Sequence, residues 1–215
     1  ASSIIKLFQV KTKSNEDVYL EINGEIIHSK TLDDGYFKFC IPLKNTTDFG
    51  WIKYSVFIKH NDTKIEASSS YIRPTQGKFG FISDIDDTFL ISHTRNPLKK
   101  LYVLLFKNVS SRKVFEDENA FFYVSSSEWN LYGLITQFAD IHKLPKAVLL
   151  LKKIKTSLTQ LFLTGRGSHN HKFDKIKHIL EFYPDLQYVL LGDDSQQDPK
   201  LYESICKIFP LHIKA

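Results

Sequence analysis

The sequence predicts a chain in two parts: a small all-β sandwich over residues 1–75, then a doubly wound, mainly parallel α/β sheet over residues 76–215. Three observations carry this. Before about Thr75 apolar residues recur with a period of two; after Phe79 short apolar strands alternate with segments of helical period; and Arg73-Pro74-Thr75-Gln76-Gly77 interrupts both patterns. With 215 residues, 42% of them hydrophobic, the chain can bury a sizeable core.

In the first part, Val18, Leu20 and Ile22 alternate ahead of Asn23-Gly24, a pair that favours the positive φ angles of a tight hairpin. Phe37, Phe39 and Ile41 alternate after Asp33-Asp34-Gly35. Ile52, Tyr54, Val56 and Ile58 alternate with Lys53, Ser55, Phe57 and Lys59. Short strands at this spacing predict a sandwich, acting as a binding module or as a stabilising wall. In the second part, strands are expected at 79–83, 121–125, 147–151, 160–164 and 187–191.

The segment Phe79 to Thr88 reads FGFISDIDDT, an Asp-x-Asp-x-Thr signature at the end of an apolar strand. Strand ends are where open α/β sheets bind ligands. Asp84 and Asp86, two positions apart on extended chain, face one side. One can attack phosphorus and the other can move protons, which makes phosphoryl transfer the leading chemistry. A carboxylate approaching a phosphate dianion needs its charge masked by a hard, oxygen-ligated cation, so Mg2+ is the expected cofactor. An acid triplet elsewhere would read only as a surface loop.

Phe121 to Val124 form an aromatic and β-branched strand that ends in Ser125, Ser126 and Ser127. A helix should follow, with Leu131, Leu134, Ile135 and Phe138 on one face, Ser127 as N-cap and Glu128 in the first turn. Strand, hydroxyls and helix N-terminus together make an anion site. Lys172 opens a helix whose Phe173, Ile176, Leu180 and Tyr183 share a face, and from there a cation can reach a phosphate on a neighbouring element; Lys175 is the rival. Strand 187–191 precedes Gly192-Asp193-Asp194-Ser195-Gln196-Gln197-Asp198-Pro199, where glycine permits a tight turn and the acids complete an oxygen shell. Asp193 is the leading metal ligand, and Asp198 either binds the metal's water or orients Lys172.

SDIDDT, FFYVSSSEWNLY, HKFDKIKHILEFYP and LLGDDSQQDPKLY follow in the order seen in the haloacid-dehalogenase phosphatase superfamily, and the chain resembles its actin-patch-associated phosphatidate phosphatase family over roughly residues 76–210. The resemblance implies a Rossmann-like catalytic domain behind an immunoglobulin- or transthyretin-like sandwich. It implies Asp84 as nucleophile, Asp86 as general acid/base, Thr88 as a brace for the loop, and Ser125 as the phosphate-binding hydroxyl. Lys172, 21 residues before Asp193, matches the family's lysine. The metal set would be Asp84, Asp86, Asp193 and Asp198. Asp194 stands where serine is commoner in the family, and Asp87 has no assigned chemistry. The implied activity is Mg2+-dependent hydrolysis of phosphatidate to diacylglycerol through an aspartyl-phosphate.

The formal net charge is +5, unevenly spread. From Thr88 through Phe115 stand Arg95, Lys99, Lys100, Lys107, Arg112 and Lys113 with no acid. Leu98, Leu101, Tyr102, Leu104, Leu105 and Phe106 lie among them as an apolar helix, the pattern of a membrane-surface segment. At this position in the superfamily, inserts form part of the lid, and a basic apolar lid suits a lipid phosphate. No nucleic-acid motif accompanies the charge. No run of 18 apolar residues occurs, and Lys6 follows too few apolar residues for a signal peptide, so the expectation is a cytoplasmic chain, peripheral at a membrane surface. Cys40 and Cys206 read as small buried hydrophobes. His169 and His171, beside Lys172, read as solvent-facing.

Overall fold

A computed structural model describes residues 12–42, 48–61, 63–74, 79–85, 119–141, 143–154, 168–192 and 198–215, with the side chains of 168–170 left aside. The expected strand 160–164 and the basic segment 88–115 lie outside the described residues, as do Asp86, Asp87, Thr88, Asp193 and Asp194. The chain divides into two compact units, Ala1–Arg73 and Pro74–Ala215.

The first unit holds one antiparallel sheet in the order β2-β1-β3-β4, built from β1 (Asp17–Ile22), β2 (Glu25–Lys30), β3 (Gly50–His60) and β4 (Thr63–Arg73). Asn23 and Gly24 turn β1 into β2 with φ of 51° and 76°, the paired positive values that a two-residue hairpin demands. Tyr19 lies opposite Phe57 in the register and stacks on it at 5.1 Å. Val18, Leu20, Phe57 and Ile72 are buried. The strand expected at Phe37–Ile41 is absent: Tyr36–Pro42 has no regular structure. Asp34 Oδ1 accepts from the Tyr36 N–H at 3.1 Å in an Asx turn, and Phe37 and Phe39 pack edge to face on each other. Alternation marked the segment as half-buried, but no strand among the described residues pairs with it. A second sheet facing the first is likewise not found among the described residues.

The second unit carries a wholly parallel sheet in the order β7-β6-β5-β8, made of β5 (Phe79–Asp84), β6 (Ala120–Glu128), β7 (Val148–Lys152) and β8 (Gln187–Leu191). Among the described residues three helices accompany it: α1 (Tyr132–Ile141), α2 (Ser168–Phe182) and α3 (Asp198–Ile208). The chain moves outward from β5 through β6 to β7 and then returns to β8 on the other side of β5. The reversal falls between β5 and β8, and the carboxyl ends of strands at such a reversal are where sheets of this kind bind ligands. Phe81, Ile82 and Phe121 to Val124 are buried, as strands covered on both faces require. Phe81 and Phe121 stack at 4.8 Å. Ile176, Ile179 and Leu180 form the buried face of α2, with Phe173 and Tyr183 at its margins.

Two contacts fix α2 and the last strand. Gly80 has no side chain because the Tyr188 ring occupies the space: a Cβ there would meet it at 2.5 Å. The Tyr188 hydroxyl donates to the carbonyls of Ile179 and Tyr183 near the end of α2, at 3.2 and 2.9 Å. The final residues run alongside β8, with Lys214 N–H donating to Tyr188 C=O and Leu190 N–H to Ala215 C=O, both at 2.8 Å. No helix among the described residues is long and apolar enough to cross a membrane. Both cysteines are exposed and free, contrary to the expectation of burial. Cys206 lies on the outward face of α3, and Cys40 in the strandless segment, so neither faces a core.

Candidate active site

β5 ends in Asp84 because its buried run Gly80 to Ser83 meets there the mouth of the sheet, where a carboxylate can be satisfied by a side chain from another element. Lys172, in the first turns of α2, supplies that partner. Its Nζ donates to Asp84 Oδ2 at 2.7 Å and to Asp198 Oδ1 at 3.4 Å. Lys172 and Asp198 are themselves buried, at 8% and 3% exposure. One ammonium between two carboxylates leaves this trio with a formal charge of about −1, in surroundings where removing a partner costs several kcal/mol.

Asp198 begins α3, so its carboxylate also sits favourably in the first turn of a helix. Its Oδ2 is buried and has no hydrogen-bond partner among the described residues. Gly192, at the end of β8, comes close to the same atom: a Cβ there would stand 3.1 Å from Asp198 Oδ2 and 2.7 Å from the Tyr202 ring. The Tyr202 hydroxyl donates to Leu191 C=O at 2.9 Å and ties α3 back to β8. Glycine is therefore required at 192 by crowding.

The serines depart from expectation. β6 continues through all of them to Glu128, and α1 begins only at Tyr132, after a 3-10 turn Trp129–Leu131. Ser127 is a buried strand residue, not the residue before the helix, and the residue preceding the 3-10 turn, Glu128, makes no side-chain cap. The reason lies in the β6–β7 ladder. Pairing runs Phe122↔Val148, Tyr123↔Leu149 and Val124↔Leu150, then resumes only at Glu128↔Lys152. The irregular stretch between stays extended and folds Ser125 inward, where its Oγ accepts from the Ser127 N–H at 3.0 Å. Ser125 has no exposed surface.

Lys175, one turn beyond Lys172, makes no hydrogen bond to a carboxylate among the described residues. Its Nζ donates to the carbonyls of Ser125 at 3.0 Å and Leu150 at 2.7 Å. Burial, then repulsion from Lys152 and Lys172, pushes its pKa down to about 8 against the pull of Asp84. His171 is half-buried, which corrects the solvent-facing reading. Burial first, and then the charges of Lys175 and Lys152, push its pKa down to about 4, so it is neutral at pH 7. A basic cluster around α2 was not legible as such, because Lys152 enters from β7, twenty residues earlier in sequence.

The structure thus brings together Asp84, Lys172 and Asp198, and places Ser125 on the strand next to Asp84, in register beyond Val124. No group of three or more potential metal-binding side chains stands together among the described residues. The donors that are there, carboxylate oxygens including the unpartnered Asp198 Oδ2, are the kind a hard cation takes.

A family model described as the catalytic domain of phosphatidate phosphatase APP1 matches residues 79–215. The chain is also 28% identical to phosphatidate phosphatase APP1 of Saccharomyces cerevisiae over 199 residues, covering 80% of this chain and 32% of the yeast protein. It therefore spans about a third of that relative's length.

Proposed function

The chain belongs to the phosphatidate phosphatase APP1 catalytic-domain family, and from that premise we propose that it is a phosphoric monoester hydrolase of haloacid-dehalogenase type, acting on phosphatidate to release diacylglycerol and phosphate. The observation that carries this reading is the buried Lys172 ammonium shared by Asp84 and Asp198 at the carboxyl ends of the parallel strands. A cation fixed beside a strand-end carboxylate serves both to hold that carboxylate and to meet a phosphoryl oxygen.

In this reading Asp84 is the nucleophile. Lys172 holds Oδ2, so Oδ1 attacks phosphorus in line, the bond to the leaving alkoxide breaks, and Asp86 gives that oxygen its proton. Water then attacks the aspartyl-phosphate, Asp86 takes the water's proton, and inorganic phosphate leaves with Asp84 regenerated. Ser125 contributes its hydroxyl hydrogen to a phosphoryl oxygen, while its oxygen accepts from the Ser127 N–H. Thr88 braces the loop that carries Asp86. Asp84, Asp86, Asp193 and Asp198 would hold Mg2+, which would supply the charge neutralisation that lets a carboxylate approach a phosphate dianion. Asp198 has a second task, keeping Lys172 aimed at Asp84. The basic, apolar segment 88–115 would contact the lipid surface and place the protein at a membrane periphery.

The test is phosphate release from phosphatidate-containing vesicles against a panel of soluble phosphate esters, with Mg2+ and with chelator. Mg2+-dependent release from vesicles is expected. Turnover confined to soluble esters would remove the lipid assignment, and vesicle binding without turnover on any ester would make the fold a binding module.

A further inference from the structure

We propose that Lys175 is a positioning residue for Ser125, clamping the carbonyls of Ser125 and Leu150 across the break in the β6–β7 ladder; the role rests on the phosphatase reading above. The two carbonyls belong to neighbouring strands at the point where their pairing stops. Asp84 pairs with Val124, and Val124 with Leu150, so these three residues form one row across β5, β6 and β7. The Ile85 N–H still donates to Val124 C=O at 3.1 Å, but beyond it β6 departs from β7.

A buried carbonyl at such a departure needs a donor from elsewhere. Lys175 provides one to each strand, and the charged donor makes both contacts stronger than a neutral one would. Lysine suits the task because its three donors rotate about one nitrogen and can serve two acceptors that lie in different directions. The ammonium is held there although Lys152 and Lys172 repel it, and with a pKa near 8 it remains charged at neutral pH. Asp84 favours the charge electrostatically, and the carbonyls of Ser125 and Leu150 are the groups to which the ammonium donates. The adjacent turns of α2 thus divide the work: Lys172 addresses the carboxylates, and Lys175 addresses the backbone on which the Ser125 hydroxyl stands.

The experiment is a double-mutant cycle of Lys175→Met and Ser125→Ala in the full chain, read by kcat and KM on phosphatidate in detergent micelles, and by amide hydrogen exchange. Lys175→Met keeps the aliphatic stem and removes the donors. With Ser125 present, kcat should fall by about 100-fold, the scale of a small misplacement, with KM within about twofold. With Ser125→Ala already in place, Lys175→Met should add little, because both act through the same hydroxyl. Exchange at residues 125–128 should quicken by about tenfold or more while distant amides stay protected. Additive losses of kcat, or unchanged exchange at 125–128, would overturn the proposal. Should Lys175→Met fail to fold, Lys175→Gln, which retains an N–H donor on a shorter stem, enters the same cycle and should lie between the two extremes. If the wild-type chain releases phosphate from no ester, the phosphatase reading fails by itself, and the exchange measurement alone decides whether Lys175 clamps the strands.

Discussion

Lys172 donates to Asp84 at 2.7 Å across 88 positions of sequence, and both side chains are withdrawn from solvent. The pair joins the end of a central strand to the first turns of a helix that arrives much later in the chain. With Asp84 as nucleophile, Asp84→Asn should retain the fold, since the amide keeps the shape and can still accept from Lys172. Phosphate release should drop by at least about 10⁴-fold, measured beside far-ultraviolet circular dichroism. Wild-type rates in a folded variant would sink the assignment.

Removing the ammonium has a different consequence. Lys172→Met leaves Asp84 and Asp198 near one another without the cation between them, and breaking a buried pair of this kind costs about 3–5 kcal/mol. Urea unfolding at pH 7 should show a lower midpoint with an unchanged slope. A loss below about 1 kcal/mol at pH 7 would mean that the pair is screened by solvent.

His171 should behave as a half-buried, neutral imidazole. Its pKa lies near 4 in the folded protein against an ordinary 6.5, so between those values the unfolded chain takes up a proton that the folded one refuses. Stability from this group therefore falls as pH drops from 6.5 toward 4, and His171→Gln should flatten that part of the profile. Titration of its imidazole proton resonance by NMR should give a midpoint near 4. A midpoint near 6.5 would contradict the half-buried, lysine-surrounded environment.

Gly192→Ala tests the crowded turn beside Asp198. The new methyl would press on the Tyr202 ring and on Asp198 Oδ2, and overpacking of this sort costs about 1–3 kcal/mol. Because Asp198 is one of the displaced groups, kcat should fall together with the unfolding midpoint. Tyr202→Phe, which loses the hydroxyl bond to Leu191 C=O, should cost about 1 kcal/mol and leave kcat nearly unchanged. Equal effects of the two substitutions would show that the turn is not crowded.

The elements most legible in the sequence were those with strong local chemistry. The Asn23-Gly24 hairpin, the strand ending at Asp84, the α2 face and the strand before Gly192 all appear where turn residues and periodicity placed them. The failures have a common origin in tertiary pairing. Phe37–Ile41 alternates like a strand but has no partner strand among the described residues, and Ser127 has the chemistry of a cap but lies in a strand because β6 stays extended past its ladder break. Two small thiols were expected to be buried by residue type, whereas burial depends on which face they occupy. At the site, motif order singled out Lys172, and of the two roles left open for Asp198 the geometry supplies the contact with Lys172. No local pattern could reveal Lys175's two carbonyls, because they belong to strands that pair only in the folded chain.

Tyr188 acts as a spacer between the two carriers of the site. Its ring rests on Gly80 at the start of β5, and its hydroxyl grips the last turns of α2, while Asp84 and Lys172 meet at the opposite ends of the same two elements. The distance between strand and helix is thus gauged at one end and used at the other. A change in the thickness of that spacer would be transmitted along two stiff rods, so the alignment of carboxylate and ammonium is held in part by a phenol that touches neither of them.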